Sequence, residues 1–99
     1  MKLSIDTSES DITIIGLDDR QWQFETKKHR SQQLRGLIEQ TLKKQKKDLK
    51  EVKQIEVNLG PGSFTGLRVG IAVANALGWA LKVPINGKEV GKLVEPKYG

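Results

Sequence analysis

The strongest constraint on the fold is the run Gly60-Pro61-Gly62-Ser63-Phe64-Thr65-Gly66-Leu67-Arg68-Val69-Gly70, which joins an alternating apolar stretch to a long apolar one. Ile55, Val57 and Leu59 alternate with Glu56 and Asn58, the period of a half-buried strand. Gly60-Pro61-Gly62 then demands a turn, because glycine tolerates positive φ and proline fixes φ. Ser63 reads as an N-cap, and the spacing predicts a helix over Phe64–Leu81. A strand, a glycine turn and a helix N-terminus admit two uses. One is an anion site at Gly60, Gly62, Ser63, Thr65 and Arg68. The other is a rigid corner that lets the helix lie close on a sheet.

Upstream, Lys2–Ile5 is a short apolar strand closed by Asp6-Thr7-Ser8. Ile12, Ile14 and Leu17 mark a second strand, and Asp18-Asp19 is a turn signal. Trp22, Phe24 and Thr26 alternate over Gln21–Thr26, which fits a third strand and a three-stranded meander. Leu34, Leu37, Ile38 and Leu42 then recur at helical spacing, predicting a helix from Ser31 to Lys46. Gly36 inside it costs about 1 kcal/mol against alanine unless it serves close contact with a neighbour. Asp48–Val52 reads as a loop and Lys53–Asn58 as a fourth strand, placed after a helical crossover for parallel pairing with the first. Val83-Pro84-Ile85 reads as a fifth strand. Gly87–Gly99 is polar apart from Val90, Leu93 and Val94.

The second helix differs in kind. Gly66, Gly70, Ala74 and Gly78 recur every four residues, and Ala72, Ala76 and Ala80 add further small positions. A helix apolar all round is buried on more than one side. In a chain of 99 residues the sheet covers one side, so the stripe is expected to meet a partner rather than only the chain's own sheet.

Composition bounds the function. The net charge is +5, concentrated in Thr26–Arg30 and Lys43–Lys53, where the lysines read as a solvated surface that can also attract RNA. The aromatics Trp22, Phe24, Phe64, Trp79 and Tyr98 are scattered, which does not support a stacking platform. Cysteine is absent, so disulfides and thiolate metal sites are excluded. No apolar run of membrane-spanning length and no signal peptide is seen, and the expected location is cytoplasmic.

Lys2-Leu3-Ser4-Ile5-Asp6-Thr7-Ser8, His29-Arg30-Ser31 before an amphipathic helix, and the glycine run Gly60–Gly70 together resemble the TsaB (YeaZ) family over Met1–Ile85. The resemblance implies the actin-like, RNase H-like ATPase fold: a single β-β-β-α-β-α domain, α/β in class. The five strands and two main helices read above make its sheet a mixed, five-stranded one. It implies a first domain over Met1–Asn86, with Gly87–Gly99 as an extension resembling the family's terminal segment, in a minimal one-domain version. It also implies a scaffold role in making threonylcarbamoyladenosine next to the anticodon of tRNA. The family pairs with the catalytic subunit TsaD, joined by the ATPase TsaE, through its two first-domain helices. That contact is then expected at Leu34, Leu37, Ile38, Gly66, Gly70, Val73, Ala74, Leu77 and Gly78. A homodimer through the same helices is expected when TsaD is absent, and tRNA contact through the complex. A self-associating module and a basic tRNA-binding adaptor are the alternatives.

Catalysis by this chain is not expected. Asp6-Thr7-Ser8 lacks the glycine of a phosphate loop, and a lone carboxylate is a poor Mg²⁺ ligand. No P-loop pattern is present. His29 is the only histidine, with no partners for a metal site. Ser63 has no paired base. No cofactor and no metal is therefore expected, and Arg68 is left to hold an anion or a partner carboxylate.

Overall fold

The computed structural model describes residues 1–26 and 30–97. His29 and Tyr98 lie outside the described residues. The elements in order are β1 (Lys2–Asp6), β2 (Ile12–Leu17), β3 (Arg20–Glu25), α1 (Arg30–Lys44), a 3₁₀ turn at Leu49–Glu51, β4 (Gln54–Val57) and α2 (Phe64–Leu81).

The sheet runs β3-β2-β1-β4. β1–β2 and β2–β3 are antiparallel, as the short turns require, and β4 returns through α1 to pair parallel with β1. Registers Leu3↔Leu17, Ile5↔Ile15, Leu3↔Ile55 and Ile5↔Val57 put these apolar side chains on one face. Both helices cover that face, α1 on β2 and α2 on β1 and β4, and they touch each other. Leu34, Ile38 and Leu42 from α1 and Leu67, Ile71 and Ala74 from α2 join the strands in one core. The opposite face carries Ser4, Asp6, Gly16 and Glu56 around a hollow of about 460 Å³.

The sheet has four strands, not five. Val83–Ile85 makes one isolated parallel bridge, Ile55↔Ile85. The Ile55 N–H donates to the Pro84 carbonyl at 3.0 Å and the Asn86 N–H to the Ile55 carbonyl at 2.8 Å. Pro84 has no N–H to extend the ladder, and Asn86 turns into the left-handed region at φ 51°. The next rung is made by a side chain. The Val57 N–H donates to Asn86 Oδ1 at 2.8 Å, and Asn86 Nδ2 donates to the Val57 carbonyl at 3.0 Å. One carboxamide thus replaces a strand residue.

Other expectations shift in detail. The loop at Asp48–Val52 contains the 3₁₀ turn, held by a capping box between Asp48 and Glu51. Among the described residues nothing lies within 4 Å of where a Cβ on Gly36 would stand, so no close contact there explains the glycine. By length and composition α2, 18 residues at a hydropathy of 1.3, is apolar enough to cross a membrane. Here it is a core helix lying on β1 and β4.

Candidate functional site: the glycine corner and the outer face of α2

The corner is built from two loops that interlock. Asp6 closes β1 with an Asx turn, its Oδ1 accepting from the Ser8 N–H at 2.9 Å and the Ser8 hydroxyl at 2.7 Å. Partial burial disfavours the Asp6 carboxylate, but hydrogen bonds from Ser8 and Asn58 outweigh it and hold its pKa below the ordinary value. Ser8 then meets the glycine run: its carbonyl accepts from the Ser63 N–H at 2.7 Å, and a Cβ on Gly62 would stand 2.6 Å from the Ser8 Cβ. Ser63 caps α2, its Oγ accepting from the Gly66 N–H at 3.2 Å. Gly60 sits at φ 121°, where an L side chain is strained, and its N–H donates to Asn58 Oδ1 at 2.9 Å.

Thr7 goes deeper. Fully buried, its hydroxyl donates to the Gly66 carbonyl at 2.6 Å and accepts from the Gly70 N–H at 3.0 Å. A Cβ on Gly66 would strike the Thr7 carbonyl oxygen, and one on Gly70 would stand 2.5 Å from Thr7 Oγ1. Further along, a Cβ on Gly78 would stand 2.5 Å from Ile85 Cδ1. Arg30 fastens the β1–β2 loop from the other side, donating to the Ser10 and Ile12 carbonyls at 2.6 and 2.7 Å. Sequence reasoning passed over Thr7 and Arg30 as positioning residues, because neither role follows from local pattern.

Most of the residues expected at a partner contact pack inside this chain. Leu34, Ile38, Gly66, Gly70, Val73, Ala74 and Gly78 are buried within this chain, and Leu37 and Leu77 are half-buried. The glycine stripe serves the close approach of α2 to β1 and to Ile85. Of the turn residues, Gly60, Gly62 and Ser63 are engaged in the corner, whereas Thr65 and Arg68 are exposed, Arg68 lying 5.2 Å over the Phe64 ring. The outward side of α2 instead carries Ala72, Ala76 and Ala80, flanked by Phe64 at 54% and Trp79 at 74% exposure.

The segment after Asn86 packs back onto α2. Asn75 Nδ2 donates to the Val94 carbonyl at 3.1 Å, and the Val94 N–H donates to Asn75 Oδ1 at 3.0 Å. The Lys97 N–H reaches the Leu59 carbonyl at 2.7 Å. Val94 is buried, while Val90 and Leu93 stay exposed, Val90 sharing a hollow with Trp79.

Residues 24–87 match the family model described as TsaD, tRNA N6-adenosine threonylcarbamoyltransferase. Curated relatives carry the name tRNA threonylcarbamoyladenosine biosynthesis protein TsaB. That of Buchnera aphidicola subsp. Schizaphis graminum is 36% identical over 61 residues, 62% of this chain and 29% of that protein. That of Buchnera aphidicola subsp. Baizongia pistaciae is 35% identical over 85 residues, 83% of this chain and 38% of that protein. Among solved structures, YeaZ from Pseudomonas aeruginosa superposes with a TM-score of 0.73 at 26% identity, covering 89% of this chain. The chain belongs to the TsaB (YeaZ) family. It spans 43% of the YeaZ chain.

Proposed function

We propose that this chain is a non-catalytic subunit of the TsaB type, which binds and supports a TsaD-type catalytic subunit in making threonylcarbamoyladenosine in tRNA. The observation that carries this reading is the outer face of α2. Ala72, Ala76 and Ala80 form a low ridge that lets another helix approach closely, with Trp79 and Phe64 exposed at its ends. The glycine stripe, being internal, sets the position of that ridge. A TsaE-type ATPase joins the assembly, and the location is cytoplasmic. Met1–Asn86 acts as the binding domain, with Gly87 onward as an extension packed on it. In the absence of the catalytic subunit the same face pairs two copies of this chain.

Asp6 supports the non-catalytic reading, because its Oδ1 accepts from the Ser8 N–H and hydroxyl in an Asx turn, the structural use of an aspartate at a strand end. The test is threonylcarbamoyl transfer to tRNA by the TsaD-type protein of the same organism, with this chain added. Turnover is expected to depend on the chain, to survive Asp6→Asn and to be lost with Ala76→Arg. Loss with Asp6→Asn in a folded chain, or turnover indifferent to the chain, contradicts the reading.

A further inference from the structure

The fold brings an aromatic residue to the lysine run, which the linear order of the chain hides. Trp22 on the edge strand β3 and Gln45 after α1 line two adjoining hollows, one reaching Lys44 and the other Arg20 and Lys47. The Arg20 guanidinium lies 5.8 Å from the Trp22 ring centroid and donates to Gln45 Oε1 at 2.9 Å. Lys44 and Lys47 line them, and Lys43, Lys46, Lys50 and Lys53, their neighbours along the chain, are exposed as well.

The nearby carboxylates keep their charge but, among the described residues, are turned to backbone N–H groups rather than paired directly with these cations. Asp48 accepts from the Lys50 N–H at 2.9 Å and Glu51 from the Asp48 N–H at 2.7 Å, so both serve the 3₁₀ turn. Asp18 accepts from the Lys2 N–H at 2.9 Å. Asp19 alone shares the hollow of Arg20 and Lys47 without such a backbone bond. Among the described residues the ion pair is Lys2–Glu56, at 2.9 Å and elsewhere on the sheet. Lys43 and Lys44 also complement the C-terminal end of the α1 dipole, but that effect needs neither Lys46, Lys47, Lys50 and Lys53 nor the indole.

We infer that this surface is an RNA-binding face, on which the lysines and Arg20 take phosphates and Trp22 offers a ring edge to a base or ribose. Exposed cations without carboxylate partners bind a polyphosphate by counterion release, and an aromatic among them suits a nucleic acid. A lipid surface fits less well, because the apolar side of α1 (Leu34, Ile38, Leu42) is buried in the core and unavailable for insertion. The choice of RNA among polyanions rests on the family reading above.

The experiment is fluorescence anisotropy of labelled tRNA titrated with the full chain from about 50 to about 200 mM KCl. The triple variant Lys43→Gln/Lys44→Gln/Lys47→Gln is expected to bind at least about tenfold more weakly and to lower the salt slope by about two to three. Lys88→Gln/Lys92→Gln, on the far segment, is expected to bind like the parent. In a Trp79→Phe background, tRNA is expected to change the emission of Trp22. Equal weakening by both lysine variants overturns the inference, as does no binding at low salt. So does a triple variant that loses phosphatidylserine vesicles or poly-glutamate while keeping tRNA. Association with the TsaD-type subunit is measured in parallel and is expected to survive the triple variant. Its absence in the parent chain would overturn the proposed function and leave the RNA result to stand by itself.

Discussion

The Thr7 hydroxyl accepts from the Gly70 N–H at 3.0 Å while donating to the Gly66 carbonyl at 2.6 Å. Those two groups of α2 are the pair that a regular helix joins directly. The residue that follows β1 is thereby bonded to the backbone of α2, and the helix is placed on the sheet by hydrogen bonds as well as by packing. Thr7→Val keeps the shape and removes the hydroxyl. It is expected to cost about 1–3 kcal/mol, with Thr7→Ser much closer to the parent. Urea unfolding followed by circular dichroism checks both.

Gly70 faces the same contact. Gly70→Leu is expected to leave the chain unfolded or poorly folded, because even a Cβ would stand 2.5 Å from Thr7 Oγ1. Ala76→Arg, on the exposed side of the same helix, is expected to melt like the parent. Comparing the two melts separates the inner stripe from the outer ridge.

Asn86 closes the β4 edge with its side chain. Asn86→Gly retains the left-handed backbone and removes both bonds to Val57. The expected result is faster hydrogen exchange at the Val57 amide, with a loss of about 1–3 kcal/mol in global stability.

Asn75 holds the C-terminal segment through two bonds to Val94. Asn75→Ala is expected to raise the helix propensity of α2 locally while releasing residues 89–97. Limited proteolysis is expected to cut the variant there first, with α2 still intact.

Asp6 gives the stability a pH signature. Its pKa is lowered in the folded state by the Ser8 and Asn58 hydrogen bonds, despite partial burial. A depressed carboxyl contributes stability above its unfolded pKa and loses it as pH falls through the folded value. The advantage of the parent over Asp6→Asn is therefore expected to be full near neutrality and to shrink through the acidic carboxylate range. Urea midpoints of both proteins across that range test it.

Much of the fold was legible because its signals are local. The alternation in β1 to β4, the turn at Asp18-Asp19 and the Ser63 cap of α2 are each written within a few residues. The parts that were not legible depend on contacts distant in the chain. Val83-Pro84-Ile85 has strand chemistry, but whether it extends the sheet was decided by Pro84 and by an Asn86 amide bonding to Val57. Periodicity located the small residues of α2 without saying which stripe faces inward. Thr7, from the far end of β1, decides that for Gly66 and Gly70. Trp22 looked isolated among scattered aromatics until the sheet order placed it beside Lys44 and Lys47.

The most direct test of the account is light scattering on a sizing column, with this chain alone and then mixed with the TsaD-type protein of the same organism. The account predicts a stable mixed complex that consumes any homodimer and is abolished by Ala76→Arg. A chain that ignores the TsaD-type protein, or a complex indifferent to Ala76→Arg, would contradict the assignment of the outer face of α2 as the partner surface.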